Sequence, residues 1–297
     1  MLFRSLAAAA ALFTVSSPVL AQEVDLRAQV AAFVQPSNAA RTDVVVAQLR
    51  AAGFDPVIET FVGGNRQTGE MEGRNVVVTL GEGPREILLT AHYDAVKLRD
   101  GTISHGVVDN AASVVGVIET ARILRGRPLN HRIRIILFDQ EELGLIGASK
   151  WIEAHGLTNV AAVVNADVGG YGDTLMYGQN NGDQSAFVTR AVREVCAERA
   201  LPCVGFPVYP PSDDRAFSAA GAPAVSLGFQ DQIGAHQMWL AFNGGDSNGL
   251  AEGFVPQIFR LIHSNDDTIE RLDPATVALA GATYAALIER LDRQLAQ

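Results

Sequence analysis

The chain has 297 residues, 48% of them hydrophobic, and a formal net charge of −10 at pH 7. This length can bury one large core or two small ones, and no linker-like tract interrupts its middle, so we predict one domain over residues 22–297. The acidic balance and the lack of a basic stripe argue against a nucleic-acid partner.

The N-terminus has the pattern of a cleavable signal peptide. Arg4 precedes an apolar run at residues 6–15, and residues 19–21 offer small side chains at the expected cleavage spacing. We expect cleavage after Ala21 and a periplasmic or secreted mature protein. The alternative is an uncleaved membrane anchor, although the run is short for a bilayer. No later stretch is long and apolar enough to span one, so we expect no stable membrane association after cleavage.

Hydrophobic periodicity divides the rest of the chain into helices and strands. Strands are predicted at 56–61, 75–80, 86–91, 133–138, 160–166 and 224–229, and helices at 25–53 (with a turn at 36–38), 111–124, 184–199 and 273–295. The strands are nearly all apolar, which predicts an α/β fold with a mostly parallel mixed central sheet and helices on both faces. Residues 230–248 have no clear periodicity and are predicted to form a loop that covers a pocket.

Cys196 and Cys203 are the two cysteines of the chain, and they flank the predicted end of a helix. Export to an oxidising compartment favours a disulfide between them. Such a bridge closes a short loop, so its effect would be local. The alternative is a pair of buried thiols.

Two adjacent carboxylates, Glu141 and Glu142, follow the predicted strand at 133–138. Taken alone, the pair also fits the acidic start of a helix. Other ligand-type side chains lie at strand ends or in loops, however, and the carboxyl ends of parallel strands share one edge, where ligands bind. We therefore expect one crevice that contains His92, Asp94, Asp109, Asp167 and His263 beside the glutamates.

The predicted crevice contains imidazole and carboxylate groups without thiolates, a donor set that suits catalytic zinc. Two zinc ions in one site need a bridging carboxylate. Asp94 follows His92 by two residues. Its carboxylate is therefore expected to accept the imidazole N–H that does not face a metal and to fix the orientation of the ring.

Several short motifs resemble, in order, those of the co-catalytic two-zinc exopeptidases, a family that includes secreted bacterial leucyl aminopeptidases and glutamate carboxypeptidases. They are His92-Tyr93-Asp94-Ala95, Val108-Asp109-Asn110-Ala111, residues 141–147, Asn165-Ala166-Asp167 and His263. The resemblance implies two Zn²⁺ ions. His92 and Asp167 would complete one zinc site, Glu142 and His263 the other, and Asp109 would bridge them, with Glu141 as general base.

The sequence departs from the family pattern at three positions. Asp214 follows Ser-Asp where histidine is common, and Ser113 stands where glycine is common. Ile262 precedes the last histidine, where some members have a tyrosine that helps to stabilise the oxyanion. In this chain Tyr171 or Tyr209 could supply that hydroxyl.

The resemblance implies a metal-dependent exopeptidase acting on peptides, and the short chain favours an aminopeptidase, in which a water activated by two zinc ions cleaves the N-terminal peptide bond. The alternative is a related glutaminyl cyclase-like zinc enzyme that forms N-terminal pyroglutamate. A non-catalytic binding protein on the same fold is the third hypothesis, but it predicts lost ligands, and none is lost here.

Overall fold

The computed structural model describes residues 25–297, so the predicted signal peptide and its cleavage site lie outside the described residues. The strands are β1 Val57–Gly63, β2 Met71–Leu80, β3 Glu86–His92, β4 Arg132–Phe138, β5 Val160–Ala166, β6 Thr174–Gly178, β7 Cys203–Phe206 and β8 Ala224–Gln230. The α-helices are α1 Leu26–Ala31, α2 Asn38–Ala51, α3 Ala112–Leu124, α4 Ile146–His155, α5 Ala186–Glu198, α6 Asp214–Ala219, α7 Gln232–Asn243, α8 Ile258–Leu261 and α9 Pro274–Leu295.

The strands form one mixed sheet in the order β1-β2-β4-β3-β5-β8-β6-β7. Its centre, β4-β3-β5-β8, is parallel. β1 pairs antiparallel with β2, β2 with β4, and β6 with β8. β7 pairs parallel with β6. The predicted α/β fold with a mixed sheet is confirmed.

Helices cover both faces of the sheet, which is why the central strands are apolar throughout. On β3, Ile87 and Leu89 point into the larger core, under α3, α5 and α9, while Leu88 points into the smaller core under α4 and α6. The alternation follows from the two-residue period of a strand. The larger face also needs close helix packing: a Cβ at Gly281 of α9 would lie 2.9 Å from that of Glu119 on α3.

Two short strands and one helix were not predicted from the sequence. The short strands β6 and β7 have 5 and 4 residues and were missed. The prediction of a loop over residues 230–248 was wrong for most of its length, because residues 232–243 form α7. Asp231 caps this helix by accepting a hydrogen bond from the Gly234 N–H, and Met238 packs on its buried side.

Cys196 near the end of α5 and Cys203 at the start of β7 form a disulfide. The seven-residue separation means that it ties one helix to the adjacent strand. Among residues 25–297 no helix has the length and apolar character that crossing a membrane would need.

Candidate metal centre

The candidate centre forms where three neighbouring strands end. β4, β3 and β5 lie side by side and run parallel, so their carboxyl ends share one edge. His92 is the last residue of β3 and Asp167 directly follows β5. Glu141 and Glu142 follow β4 after a turn that begins at Asp139. Buried strands therefore carry the four side chains to one place.

Asp109 and His263 reach the same edge from segments outside the sheet. Asp109 lies before α3, and His263 lies in the loop after α8. The six side chains form two groups, and the ligand atoms of each group lie within 4.8 Å of one another. We call them the strand group (His92, Glu141 and Asp167) and the loop group (Asp109, Glu142 and His263).

Asp109 connects the two groups. Its Oδ1 lies 3.1 Å from Nε2 of His92, and its Oδ2 lies 3.1 Å from Nε2 of His263. His92 Nε2 is also 3.3 Å from Asp167 Oδ1, and His263 Nε2 is 3.0 Å from Glu142 Oε2. One carboxylate thus presents an oxygen to each histidine, which is the arrangement that a bridging ligand requires.

Asp94 is fully buried and contacts both His92 and the backbone of the glutamate pair. Its backbone carbonyl lies 3.2 Å and its Oδ1 3.4 Å from His92 Nδ1. Its two carboxylate oxygens accept the N–H groups of Glu141 at 3.1 Å and Glu142 at 3.2 Å. The residue therefore orients the imidazole and also fixes the backbone of the glutamate pair.

Asp267 plays the corresponding part for the loop group. Four residues after His263, its buried carboxylate accepts the N–H of Val108 at 2.7 Å and of Asp109 at 3.1 Å. These hydrogen bonds attach the segment that follows His263 to the backbone of Val108 and Asp109.

Arg41 is a cation beneath the centre that sequence reasoning missed. Its side chain is 0% exposed, and its guanidinium donates to the carbonyls of Tyr93, Phe33, His105 and Gly106. Burial lowers its pKa to about 10, against the opposing attraction of nearby carboxylates, led by Asp94. It stays charged at neutral pH.

Burial and close ion pairs perturb the loop group strongly. Hydrogen bonds with Asp109 and then Glu142 raise the pKa of His263 to about 11. Burial, reinforced by the charge of Asp109, raises the pKa of Glu142 to about 7. Burial alone would also raise the pKa of Asp109, but the hydrogen bonds from His263 and His92 outweigh it and hold that pKa well below its usual value.

In the strand group, burial raises the pKa of the Glu141 carboxyl well above its ordinary value, although the charge of His92 opposes it. Burial alone would lower the pKa of His92. The carboxylate of Glu141 and the hydrogen bonds with Asp109, Asp167 and Asp94 reverse this and raise it. The raised pKa of Glu141 makes its carboxylate a better proton acceptor.

The donor set fits zinc. Each group offers one imidazole nitrogen and carboxylate oxygens, which are the ligands of catalytic zinc sites. Oε1 of Glu142 is buried and has no hydrogen-bond partner. A buried carboxylate oxygen without a partner is costly, and a cation at the loop group would satisfy it.

A cavity of about 220 Å³, which we call the centre cavity, opens beside both groups. Its wall contains Asp109, Glu141, Asp167 and His263, and otherwise apolar side chains together with Tyr209. The apolar part of the wall comprises Val168, Met176, Pro210, Pro211, Met238, Ile258, Phe259 and Ile262. Within the described part of the chain, no lysine or arginine lines it.

The three departures from the motif pattern have plain structural outcomes. Ile262 is part of the centre-cavity wall, and Tyr209 brings a hydroxyl to that wall, while the Tyr171 hydroxyl donates to Gln230 Oε1 at 3.3 Å. Asp214 accepts hydrogen bonds from Asn181 Nδ2 at 2.6 Å and from the Ser212 N–H at 3.2 Å. Ser113 is buried on α3.

The histidines outside the two groups lie elsewhere. His131 is buried, and its Nδ1 lies 3.0 Å from Asp292 Oδ1. His155 stacks on Trp151, and His236 is exposed. None of these three lines the centre cavity.

Comparisons with known proteins agree with this geometry. A family model described as Peptidase family M28 matches residues 75–288. Over 70 residues the chain is 39% identical to aminopeptidase YwaD of Bacillus subtilis. That stretch spans 24% of this chain and 14% of that protein.

Two solved structures share the fold along most of their length. A Zn-dependent exopeptidase from Parabacteroides distasonis matches with a TM-score of 0.68 at 19% identity, over 89% of this chain and 94% of that one. Porphyromonas gingivalis glutaminyl cyclase matches with a TM-score of 0.67 at 19% identity, over 91% and 95%. The same fold therefore occurs with both chemistries.

Proposed function

The chain belongs to peptidase family M28, and we propose that it is a zinc-dependent aminopeptidase. The observation that carries the proposal is the composition of the centre cavity. Among residues 25–297, no lysine or arginine lines it to bind a terminal carboxylate. The lack of a cationic partner for a carboxylate favours the α-ammonium end of a peptide over the carboxylate end. The apolar wall favours an apolar first side chain.

The proposed cofactor is two zinc ions, one held by His92 and Asp167 and one by Glu142 and His263, with Asp109 shared. When bound, zinc polarises a scissile carbonyl and lowers the pKa of a water. Asp94 and Asp267 keep the ligands in place through the hydrogen bonds described above.

Glu141 is the proposed general base. Its carboxylate borders the centre cavity, and its raised pKa suits the removal of a proton from the attacking water and its transfer to the leaving amine. Tyr209 lines the same cavity, and we assign its hydroxyl the role of donating a hydrogen bond to the carbonyl oxygen as its charge develops. This hydroxyl would take the place of the tyrosine that some family members have at the position of Ile262.

The test compares zinc-loaded protein on matched peptides. We expect release of leucine from leucinamide and Leu-peptides, and no cleavage of their N-acetylated forms, which lack the ammonium group. A Gln-peptide is included as the cyclase substrate. Pyroglutamate formation without release of any amino acid would exclude the aminopeptidase and favour the cyclase.

The Glu141→Gln variant tests the proton transfer. It keeps the shape of the side chain but cannot accept a proton, so we expect kcat to fall by ~10²–10⁴-fold while zinc content, measured by metal analysis, stays the same. Near-normal turnover would remove Glu141 from this role.

We also propose export to the periplasm or the exterior after cleavage behind Ala21. The support is the sequence pattern of the N-terminus together with the Cys196–Cys203 disulfide, since such bonds persist in oxidising compartments. N-terminal sequencing of the protein from cell fractions tests this, and a cytosolic protein that begins at Met1 would contradict it.

A further inference from the structure

A second cavity, of about 490 Å³, lies on the other side of the glutamate pair from the centre cavity. We call it the hairpin cavity, because one wall is the turn in which Lys97 bridges Ile103 and the Leu98 N–H donates to the Thr102 carbonyl at 2.8 Å. Asp94 and Glu142 form part of its wall. It therefore adjoins the metal centre directly.

The sheet order places the two cavities on opposite sides of the centre. The centre cavity takes Asp167, which follows β5, and Met176 of β6, and so extends toward β8 and β6. The hairpin cavity takes Met71 and Arg74 of β2, and so extends toward the β2-β1 edge. β4 and β3, which end at the glutamate pair and His92, lie between these two parts of the sheet.

Most of the exposed surface inside the hairpin cavity is apolar, and Met71, Val96, Ile103 and Leu143 contribute to it. Met71 is 41% exposed, which is high for a methionine. A large exposed apolar concavity beside a reactive centre is typical of a ligand site.

The charged groups around the hairpin cavity are mostly paired or buried. Among its carboxylates, Asp94 and Asp139 are buried and the Glu142 side chain is 6% exposed. The Arg74 guanidinium is paired with Glu72 at 2.7 Å. Lys97 has no carboxylate within 4.0 Å among residues 25–297, and its side chain is exposed at the rim. The cavity thus offers apolar surface, not a charged pocket, to whatever enters it.

We propose that the hairpin cavity binds the first side chain of the leaving peptide and prefers an apolar one. The inference rests on the proposed aminopeptidase function. A peptide whose N-terminal side chain occupies the centre cavity and whose scissile bond lies at the metal centre continues toward β2, because the two cavities lie on opposite sides of that centre. Successive residues of an extended chain are about 3.3 Å apart along its axis, so the next side chain reaches the adjoining cavity.

The test uses three substrates that share an N-terminal leucine: leucinamide, Leu-Gly-NH₂ and Leu-Phe-NH₂. Leucinamide has no side chain after the scissile bond, and the terminal amides remove any attraction to Lys97. We expect the wild type to favour Leu-Phe-NH₂ over Leu-Gly-NH₂ by ~10-fold or more in kcat/KM, mainly through KM.

Ile103→Asp and Met71→Asp place a charge in the cavity without touching the metal ligands. Each should lower kcat/KM for Leu-Phe-NH₂ by ~10-fold and leave leucinamide hydrolysis unchanged. Ile233→Asp is the matched control, since Ile233 is 71% exposed in the first turn of α7 and lines neither cavity. It should behave as the wild type.

The two proposals fail in different ways. If both cavity variants keep the wild-type ratio of Leu-Phe-NH₂ to leucinamide, or lose both activities equally, the hairpin cavity does not bind the leaving side chain. A wild-type protein that leaves leucinamide intact would instead remove the aminopeptidase proposal, and this inference with it.

Discussion

The strand group and the loop group of the metal centre are built in different ways. His92 ends a strand that is buried along its whole length, and its side chain is 1% exposed. His263 comes from a loop, has φ of 56° and is 52% exposed. The sheet core fixes one group by packing, whereas the other depends on the hydrogen bonds of Asp267. The comparison teaches that one centre can combine ligands held by packing with ligands held by a few polar contacts.

The largest effect should come from the residue that both groups share. Asp109→Ala removes the two carboxylate oxygens that face His92 and His263, so we expect zinc content to fall in both groups. Activity should fall by more than the ~10–100-fold that is typical when a partner of a ligand is lost. Metal analysis and leucinamide kinetics measure this, and full zinc content in the variant would show that Asp109 does not bridge.

Removing one histidine at a time sharpens the comparison. His92→Ala deletes a buried side chain and leaves Asp94 and Asp167 without it, so zinc binding should weaken and the metal-free protein should lose ~1–3 kcal/mol of stability. His263→Ala should weaken zinc binding as well, but the unfolding temperature of its metal-free form should fall by less than that of His92→Ala, since the side chain is half exposed and solvent screens its ion pairs with Asp109 and Glu142. Equal unfolding temperatures would contradict the distinction between the groups.

Asp267→Asn tests the support of the loop group. An amide keeps the size but offers one acceptor where two backbone N–H groups now bind, so we expect zinc affinity to fall by ~10–100-fold, measured by competition with a chelator. Asp266→Asn is the control, because Asp266 is the exposed neighbour. If the two variants bind zinc equally well, Asp267 does not position the group.

The disulfide should give the smallest effect on the centre. The double variant Cys196→Ser, Cys203→Ser removes a cross-link far along the chain from either group, so zinc content and leucinamide kinetics should match the wild type. Loss of a bridge that closes so short a loop should cost about 2 kcal/mol of stability, seen as a lower unfolding temperature. Lost zinc would mean that the α5–β7 connection also supports the centre.

The sequence predicted the parts of the centre that depend on strand ends. Apolar runs located β3, β4 and β5, and the rule that parallel strands share their carboxyl edge brought His92, Glu141 and Asp167 together. Asp109 and His263 lie in segments without such a pattern. Their residue types placed them in the expected crevice, and the motif resemblance gave them roles.

The remaining features depend on tertiary contacts that no local pattern reveals. The four carbonyls around Arg41 come from distant segments, so a lone arginine in a helix gave no signal. Asp267 accepts hydrogen bonds from backbone N–H groups that are 158 and 159 residues away in the sequence. Helix α7 was missed because its glycine and scattered polar residues obscure the period, while its cap at Asp231 and the packing of Met238 stabilise it.

The buried guanidinium of Arg41 has a consequence for the metal-free protein. Carboxylates crowded at one edge repel each other, and a bound cation would relieve that repulsion. Arg41 is part of the chain and is charged at neutral pH, so its attraction to Asp94, Asp267, Asp109 and Glu142 offsets part of the repulsion whether or not metal is bound.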